Sequence, residues 1–339
     1  MTLVWKNNQG LTFQKIIKID NQYLFTIEQK IKNSSDKIYS FYPYAQIIRT
    51  KIPEIIDFFI LHEGPLGVLD DQLIEKDYKD ILDKKYSKNA NNGFLGITDK
   101  YWLTSIIPQK NKKFRADFEY NKKFKVNYIE TDSYDSKPNA QISNIVNVVV
   151  AAKEVNVIDG YNESLGLKKF DLVIDWGWFY WIVKPLFFLN DYFFKLAGNY
   201  GIAIILITVC LRLAFFPLNN YAFKSMSRMK LVQPEMARLK EIHKDDKMKL
   251  QQAMMQLYKK EGINPVSGCL PILISIPFFF AIYKMLFVTI EMRHQPFFGW
   301  IKDLSEKDPT SIFNLFGLIP WDPPSVSYTH LTLPTIAGE

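Results

Sequence analysis

A chain of 339 residues is long enough for two or more domains, and its hydrophobic share of 48% is ordinary for a protein with a packed core. The net charge of +7 is spread through strand-like text and forms no single basic stripe, so no nucleic acid is expected as a partner and a membrane surface is the fitting counterpart. Only Cys210 and Cys269 occur, both at or inside apolar segments, and His62, His243, His294 and His330 lie far apart, so neither a disulfide framework nor a metal centre can be read.

The averages hide a division. Residues 1–169 are polar and lysine-rich, whereas five of the seven tryptophans lie beyond Phe170 among long apolar runs. Met1 opens on alternating text without the pattern of an export signal, which makes the first domain either cytosolic or preceded by an anchor outside the sequence. From Gly10 to Thr50, Phe94 to Ile107, Phe114 to Glu130 and Ala140 to Ala152, apolar and polar residues alternate with the period of half-buried strands. One-sided alternation needs a second sheet over the apolar face, which predicts a β-sandwich of about ten strands over 1–169. The charged stretch from Glu75 to Lys88 reads as a solvated helix or loop.

Next comes WGWFYWIVKPLFFLNDYFFKLA, Trp176 to Ala197, with Lys184, Asp191 and Lys195 spaced seven and four residues apart. On a helix these charges share one face while aromatics cover the rest. Such a helix over 170–198 suits the headgroup layer of a membrane, anchored by Trp176, Trp178 and Trp181; an amphipathic core helix is the alternative.

Residues 199–218 hold a single charge, Arg212, and as a helix measure roughly 30 Å, the thickness of bilayer hydrocarbon. A second predicted span, 269–290, contains Ser275, Pro271, Pro277 and one charge, Lys284, and is expected to bend at Pro277. Between them, 219–268 sets ten lysines and arginines against five acidic residues, which marks it as cytoplasmic and puts the sandwich and the loop 291–324 on the other side. Within this segment Pro234 to His243 and Asp246 to Lys260 are predicted helices. Met236, Leu239 and Ile242 face Leu250, Met254 and Leu257, Asp246 is the N-cap and Gly262 the stop, giving a helical hairpin. The fold class expected is therefore an α+β membrane protein.

A charge inside a span costs several kcal/mol unless water, a partner or snorkelling relieves it. Arg212 lies six residues before Leu218, within snorkelling reach, while Thr208 one turn earlier extends it into a narrow polar stripe. Either the guanidinium snorkels, or the two residues face a wet cavity open to the cytoplasm. Lys284 is read as snorkelling outward. No Gly-rich phosphate loop or other catalytic constellation appears, so neither enzymatic activity nor a cofactor such as ATP is expected.

Several long motifs occur in one order: FLGITDKYWLTSIIP, VIDWGWFYWIVKPL, GNYGIAIILITVCLRLAFFPL, MSRMKLVQPEMARLKE, QQAMMQLYKKEGINPVSGCLPILISIPFFFAIYKMLF and EMRHQPFFGWIKDLSEKDPTSIFNLFGLIPWDPPS. Through them the chain resembles the YidC/Oxa/Alb family of membrane-protein insertases, over Phe170 to Ser325 almost without gaps. The resemblance implies a hydrophilic groove whose arginine and polar neighbour are Arg212 and Thr208, and a slide for clients at Ile276, Pro277 and Phe279. It also implies a flexible cytoplasmic hairpin, with Gln233, Pro234, Met254 and Tyr258 as candidate contact residues, and a periplasmic sandwich resembling sugar-binding folds. Nascent membrane proteins, membrane lipids, the Sec translocon and the ribosome are the partners it implies, at the bacterial inner membrane. Family members continue beyond Pro324 into further membrane helices and a basic ribosome-contacting tail; 325–339, SVSYTHLTLPTIAGE, reads as an atypical, non-native tail. Competing readings are a transporter of an anionic solute at Arg212, disfavoured by the lack of repeated bundles, and a membrane-anchored periplasmic binding module, which leaves the hairpin without a purpose.

Overall fold

Period-two alternation carries most of the first half of the chain into antiparallel strands. The computed structural model describes residues 1–53, 61–244, 246–262, 270–299, 301–305 and 318–319. It divides into two units, Met1–Gly177 with Val288–Glu291, and Trp178–Phe287 with Met292–Glu339.

In the first unit the strands are β1 (Thr2–Lys6), β2 (Leu11–Ile19), β3 (Leu24–Asn33), β4 (Tyr39–Phe41), β5 (Tyr44–Arg49), β6 (Gly64–Leu69), β7 (Gln72–Glu75), β8 (Tyr86–Ala90), β9 (Gly93–Thr98), β10 (Trp102–Ile107), β11 (Phe114–Tyr120), β12 (Phe124–Glu130), β13 (Tyr134–Ser136) and β14 (Gln141–Ala152). An eight-stranded sheet, β1-β2-β3-β14-β10-β9-β6-β7, packs against a four-stranded one, β5-β12-β11-β8, with β13-β4 as a small third sheet. The register of β11 on β12 shows how sequence selects the faces. Ala116↔Tyr128, Phe118↔Val126 and Tyr120↔Phe124 are paired, so the even positions share one side. There Phe114, Phe118, Val126 and Tyr128 join Leu95, Ile106 and Val146 of the larger sheet in one core, each large side chain contributing roughly 2 kcal/mol by leaving water.

The odd positions of β11 lie on the side away from this core, where Arg115 is exposed and Asp117 is covered by its neighbours. Asp117 there accepts from Ser87 Oγ at 2.5 Å, Lys85 Nζ at 3.0 Å and Arg115 Nε at 3.2 Å. Burial pushes its carboxyl up, but the bonds from Ser87 and Lys85 outweigh this and hold it below the usual aspartate value.

The stretch expected as a solvated helix or loop holds the short helix α1 (Tyr78–Asp83), but Tyr78 and Ile81 are buried, and Tyr86–Lys88 already belongs to β8. Strand β6, between β9 and β7, is buried at every position and so carries no alternation to be read. Helix α2 (Val155–Ser164) and a 3-10 turn at Phe170–Val173 close the unit. Phe170 meets Phe94 edge-on at 4.9 Å, and Trp176, 2% exposed, donates its indole N–H to the Asp171 carbonyl at 3.1 Å. The first unit thus runs to Gly177, beyond the expected boundary at 169.

In the second unit, α3 (Tyr180–Ala197) ends where Gly198 adopts φ +69°, its N–H returning to the Phe194 carbonyl at 2.7 Å. One residue on, Asn199 caps α4 (Tyr200–Leu231), its side chain accepting from the Ile202 N–H at 3.1 Å. Phe194 stacks on Tyr200 across this corner at 3.8 Å. Helix α4 has 32 residues, roughly 48 Å, so it continues well beyond the span expected to end at Leu218. Nothing in Asn219–Leu231 breaks a helix; the break comes at Gln233-Pro234, where proline opens α5 (Gln233–Ile242).

Helix α6 (Lys247–Lys260) starts on Asp246, which accepts from the Lys249 N–H at 3.0 Å, and Gly262 follows it with φ +62°. Tyr258 of α6 reaches the Met236 sulfur of α5 at 3.9 Å, and Met236, Leu239, Leu250, Met254 and Leu257 are half-buried, whereas Ile242 is exposed. Helix α7 (Leu270–Val288) holds Pro277 inside it; Cys269, most of the loop 291–324, and the tail 325–339 lie outside the described residues. After α7, Asp303 accepts from the His294 and Ser305 N–H groups at 3.0 and 2.9 Å and pairs with His294 Nδ1 at 2.8 Å. Burial opposes ionisation there, but these bonds hold the carboxyl down to about 2.

Candidate functional site

Among the described residues, helices α4 and α7 are the two long enough and apolar enough to cross a bilayer. Thr208, Arg212, Phe215 and Asn219 recur at four, three and four residues along α4, the spacing of one helical face. Together with Pro271, Ile272, Ser275, Ile276, Phe279 and Ile282 on α7 they line a cavity of about 260 Å3. Phe215 meets Phe278 edge-on at 5.0 Å and joins the two walls.

The polar groups of this groove differ in what they offer. Thr208 Oγ1 donates to the Ile204 carbonyl at 2.9 Å and Ser275 Oγ to the Pro271 carbonyl at 2.6 Å, both one turn back on their own helices. Arg212 is exposed, and none of the ion pairs Lys195–Asp191, Lys249–Asp246 and His294–Asp303 reaches it. Among the described residues no carboxylate is paired with it, and its guanidinium, a group with five N–H donors, borders the groove.

Of the residues singled out in the sequence, Arg212, Thr208, Ile276 and Phe279 meet in this cavity. Pro277, flanked by Ile276 and Phe278, is not among its lining residues. Gln233 and Pro234 open α5, and Met254 and Tyr258 sit on α6, apart from the cavity. Asn219 and Ser275 were missed as groove residues. The signal for Asn219 was its position seven residues after Arg212, but Ser275 sits on a second helix whose pairing with α4 no periodicity reveals.

Helix α3 corrects the sequence reading twice. Trp176 precedes the helix and is part of the first unit's core, because its indole is enclosed with its N–H satisfied; Trp178 and Trp181, at 95% and 70% exposure, remain on the surface. Asp191 does not share an open polar face with Lys184 and Lys195. It lies on the buried stripe with Val183, Leu186 and Phe187, and Lys195 reaches back over it at 2.6 Å. The exposed face carries Trp181, Phe188, Tyr192 and Leu196, an aromatic and apolar surface of the kind that sits at a headgroup boundary. Lys284, expected to snorkel outward, is 3% exposed, so its ammonium is enclosed by protein.

A family model described as "YidC periplasmic domain" matches residues 1–189, and one described as "60Kd inner membrane protein" matches 192–337, running through most of the segment that reads as atypical. A membrane protein insertase YidC of Pelagibacter ubique is 65% identical over 323 residues, covering 95% of this chain and 58% of the relative. One of Nitrobacter hamburgensis is 48% identical over 341 residues, covering 96% and 56%. A crystal structure of active YidC insertase with its first transmembrane domain resolved aligns with 84% of this chain and 54% of its own, at 18% identity and a TM-score of 0.31. The chain thus spans a little under three fifths of the length of the curated relatives it matches. It belongs to the YidC family of inner-membrane proteins, and its β-sandwich is the family's periplasmic domain.

Proposed function

We propose that this chain carries the client-binding part of a membrane-protein insertase, and that the groove between α4 and α7 is where polar segments of nascent membrane proteins enter the bilayer. One observation carries the reading: an arginine with no carboxylate partner among the described residues, the single charge in 199–218, lines a cavity between two apolar spans. A guanidinium in hydrocarbon is costly; a wet groove open to the cytoplasm removes that cost and gives the charge a purpose. An acidic residue at about 6 Å is attracted by roughly 3 kcal/mol at an effective dielectric of 20, against less than about 1 kcal/mol in water.

The apolar part of the client then passes over Ile276, Pro277 and Phe279 into lipid. The exposed aromatics of α3 hold the assembly at the membrane surface, and the basic α5–α6 hairpin, with Gln233, Pro234, Met254 and Tyr258, receives the chain on the cytoplasmic side. The ribosome and the Sec translocon are the sources from which clients would be delivered. The activity moves polypeptide and breaks no bond.

Insertion of a small single-span client into liposomes by the full-length protein tests this. Arg212→Ala should slow insertion of a client with an acidic translocated segment by about tenfold to a hundredfold, the range that roughly 1.4 to 3 kcal/mol spans, while Arg212→Lys retains most of the rate. Equal rates for Ala and the native residue would remove Arg212 from the function.

A further inference from the structure

The groove presents acceptors and donors as separate sets. A hydroxyl has one donor hydrogen and two acceptor lone pairs. Because Thr208 gives its hydrogen to Ile204 and Ser275 gives its hydrogen to Pro271, each turns only lone pairs toward a ligand. Arg212 on the same wall as Thr208 has only donors. These three side chains border one cavity, Ser275 from the opposite helix.

A peptide group carries one N–H and one C=O, and in lipid each must be served by a partner or the segment cannot enter. In an extended chain the groups on one edge recur every second residue, about 6.7 Å apart. Thr208 and Arg212, four residues apart on α4, are separated along the helix axis by about 6 Å. An extended segment lying against α4 can therefore set an N–H on Thr208 and a C=O on Arg212, with Ser275 taking a further N–H from the other wall.

We propose that Thr208 and Ser275 are positioning residues that accept backbone N–H groups of the entering segment while Arg212 serves its carbonyls, so that the groove recognises the peptide bond itself in addition to acidic side chains. This rests on the insertase reading above. It makes the site tolerant of sequence, as a groove must be that takes clients with nothing in common except a backbone.

The test uses the full-length protein in liposomes and two neutral clients that differ only in the translocated segment. One segment has ordinary peptide bonds; in the other, every residue is N-methylglycine, which keeps the carbonyls and removes all the N–H donors. Thr208→Val with Ser275→Ala should slow the ordinary client by about fivefold per hydroxyl, the factor one neutral hydrogen bond is worth, and leave the N-methylated client unchanged. Arg212→Ala should slow both clients, and Thr208→Ser should restore the Thr208 share.

Equal slowing of both clients by the double variant would show that the hydroxyls only shape the helices, and would overturn the proposal. So would a double variant that inserts the ordinary client at the native rate while Arg212→Ala remains slow; the insertase reading would then stand without it. If Arg212→Ala is silent for every client, including acidic ones, the reading itself falls.

Discussion

Replacing Trp176 with alanine separates two roles that the sequence leaves entangled, an anchor at the membrane surface and a member of the sandwich core. The side chain is among the largest fully buried groups in the protein, and its indole N–H is bonded to the Asp171 carbonyl. Truncating a buried tryptophan costs about 3–5 kcal/mol. The lost hydrogen bond adds at most about 1 kcal/mol, because the same carbonyl keeps the Ile174 N–H at 3.2 Å. A loss of about 3–6 kcal/mol is a large part of the stability of an ordinary domain. Urea unfolding of the chain in nanodiscs, followed by the β-sheet signal in far-UV circular dichroism, should therefore show a much lower midpoint. Trp178→Ala, at a nearly fully exposed position two residues on, should leave the midpoint unchanged and reduce the quenching of tryptophan fluorescence by headgroup-level spin-labelled lipid in the nanodisc. If Trp176→Ala behaves as Trp178→Ala does, the assignment of Trp176 to the core is wrong.

Three further outcomes follow from the geometry. Burial pushes the Asp117 carboxyl up, but the bonds from Ser87 and Lys85 outweigh this and hold it below the ordinary aspartate value of 3.8 in the folded protein, so its contribution is fully present above that value and is lost as pH falls through the depressed native one. Stability against urea should decline as the pH drops below about 4, with a shallower slope in Asp117→Asn. Gly198→Ala places a Cβ on a residue at φ +69° and should cost about 1 kcal/mol, seen as a lower thermal midpoint of the helical unit. Asp246→Ala removes the cap of α6 and should increase hydrogen exchange in its first turn, with exchange in α7 unaltered.

The sandwich was legible where polar and apolar residues alternate along a strand, as in β11 with Arg115, Asp117 and Glu119 between Phe114, Ala116 and Phe118, because alternation then reports the second sheet directly. It was illegible in β6, whose residues are buried throughout and obey no period. Arg212 and Thr208 were readable together because they share one helix and a one-turn spacing. Ser275 was not, since its place in the groove depends on which face of α7 meets α4, and α7 is apolar nearly all round. For α3 the charges misled: Asp191 is covered because Lys195 neutralises it, which leaves the aromatics free to face outward.

The central claim is that the Arg212 face of α4 is wet while the helix crosses the membrane, and cysteine labelling tests it most directly. Native Cys210 lies about 200° around the helix from Thr208 and from Arg212 and does not line the cavity, so it serves as an internal control. In a Cys269→Ser background, Thr208→Cys should react with a charged, membrane-impermeant maleimide added from the cytoplasmic side, while Cys210 stays inert. A Thr208→Cys thiol that remains unreactive in the intact membrane, or one no more reactive than Cys210, would contradict the account.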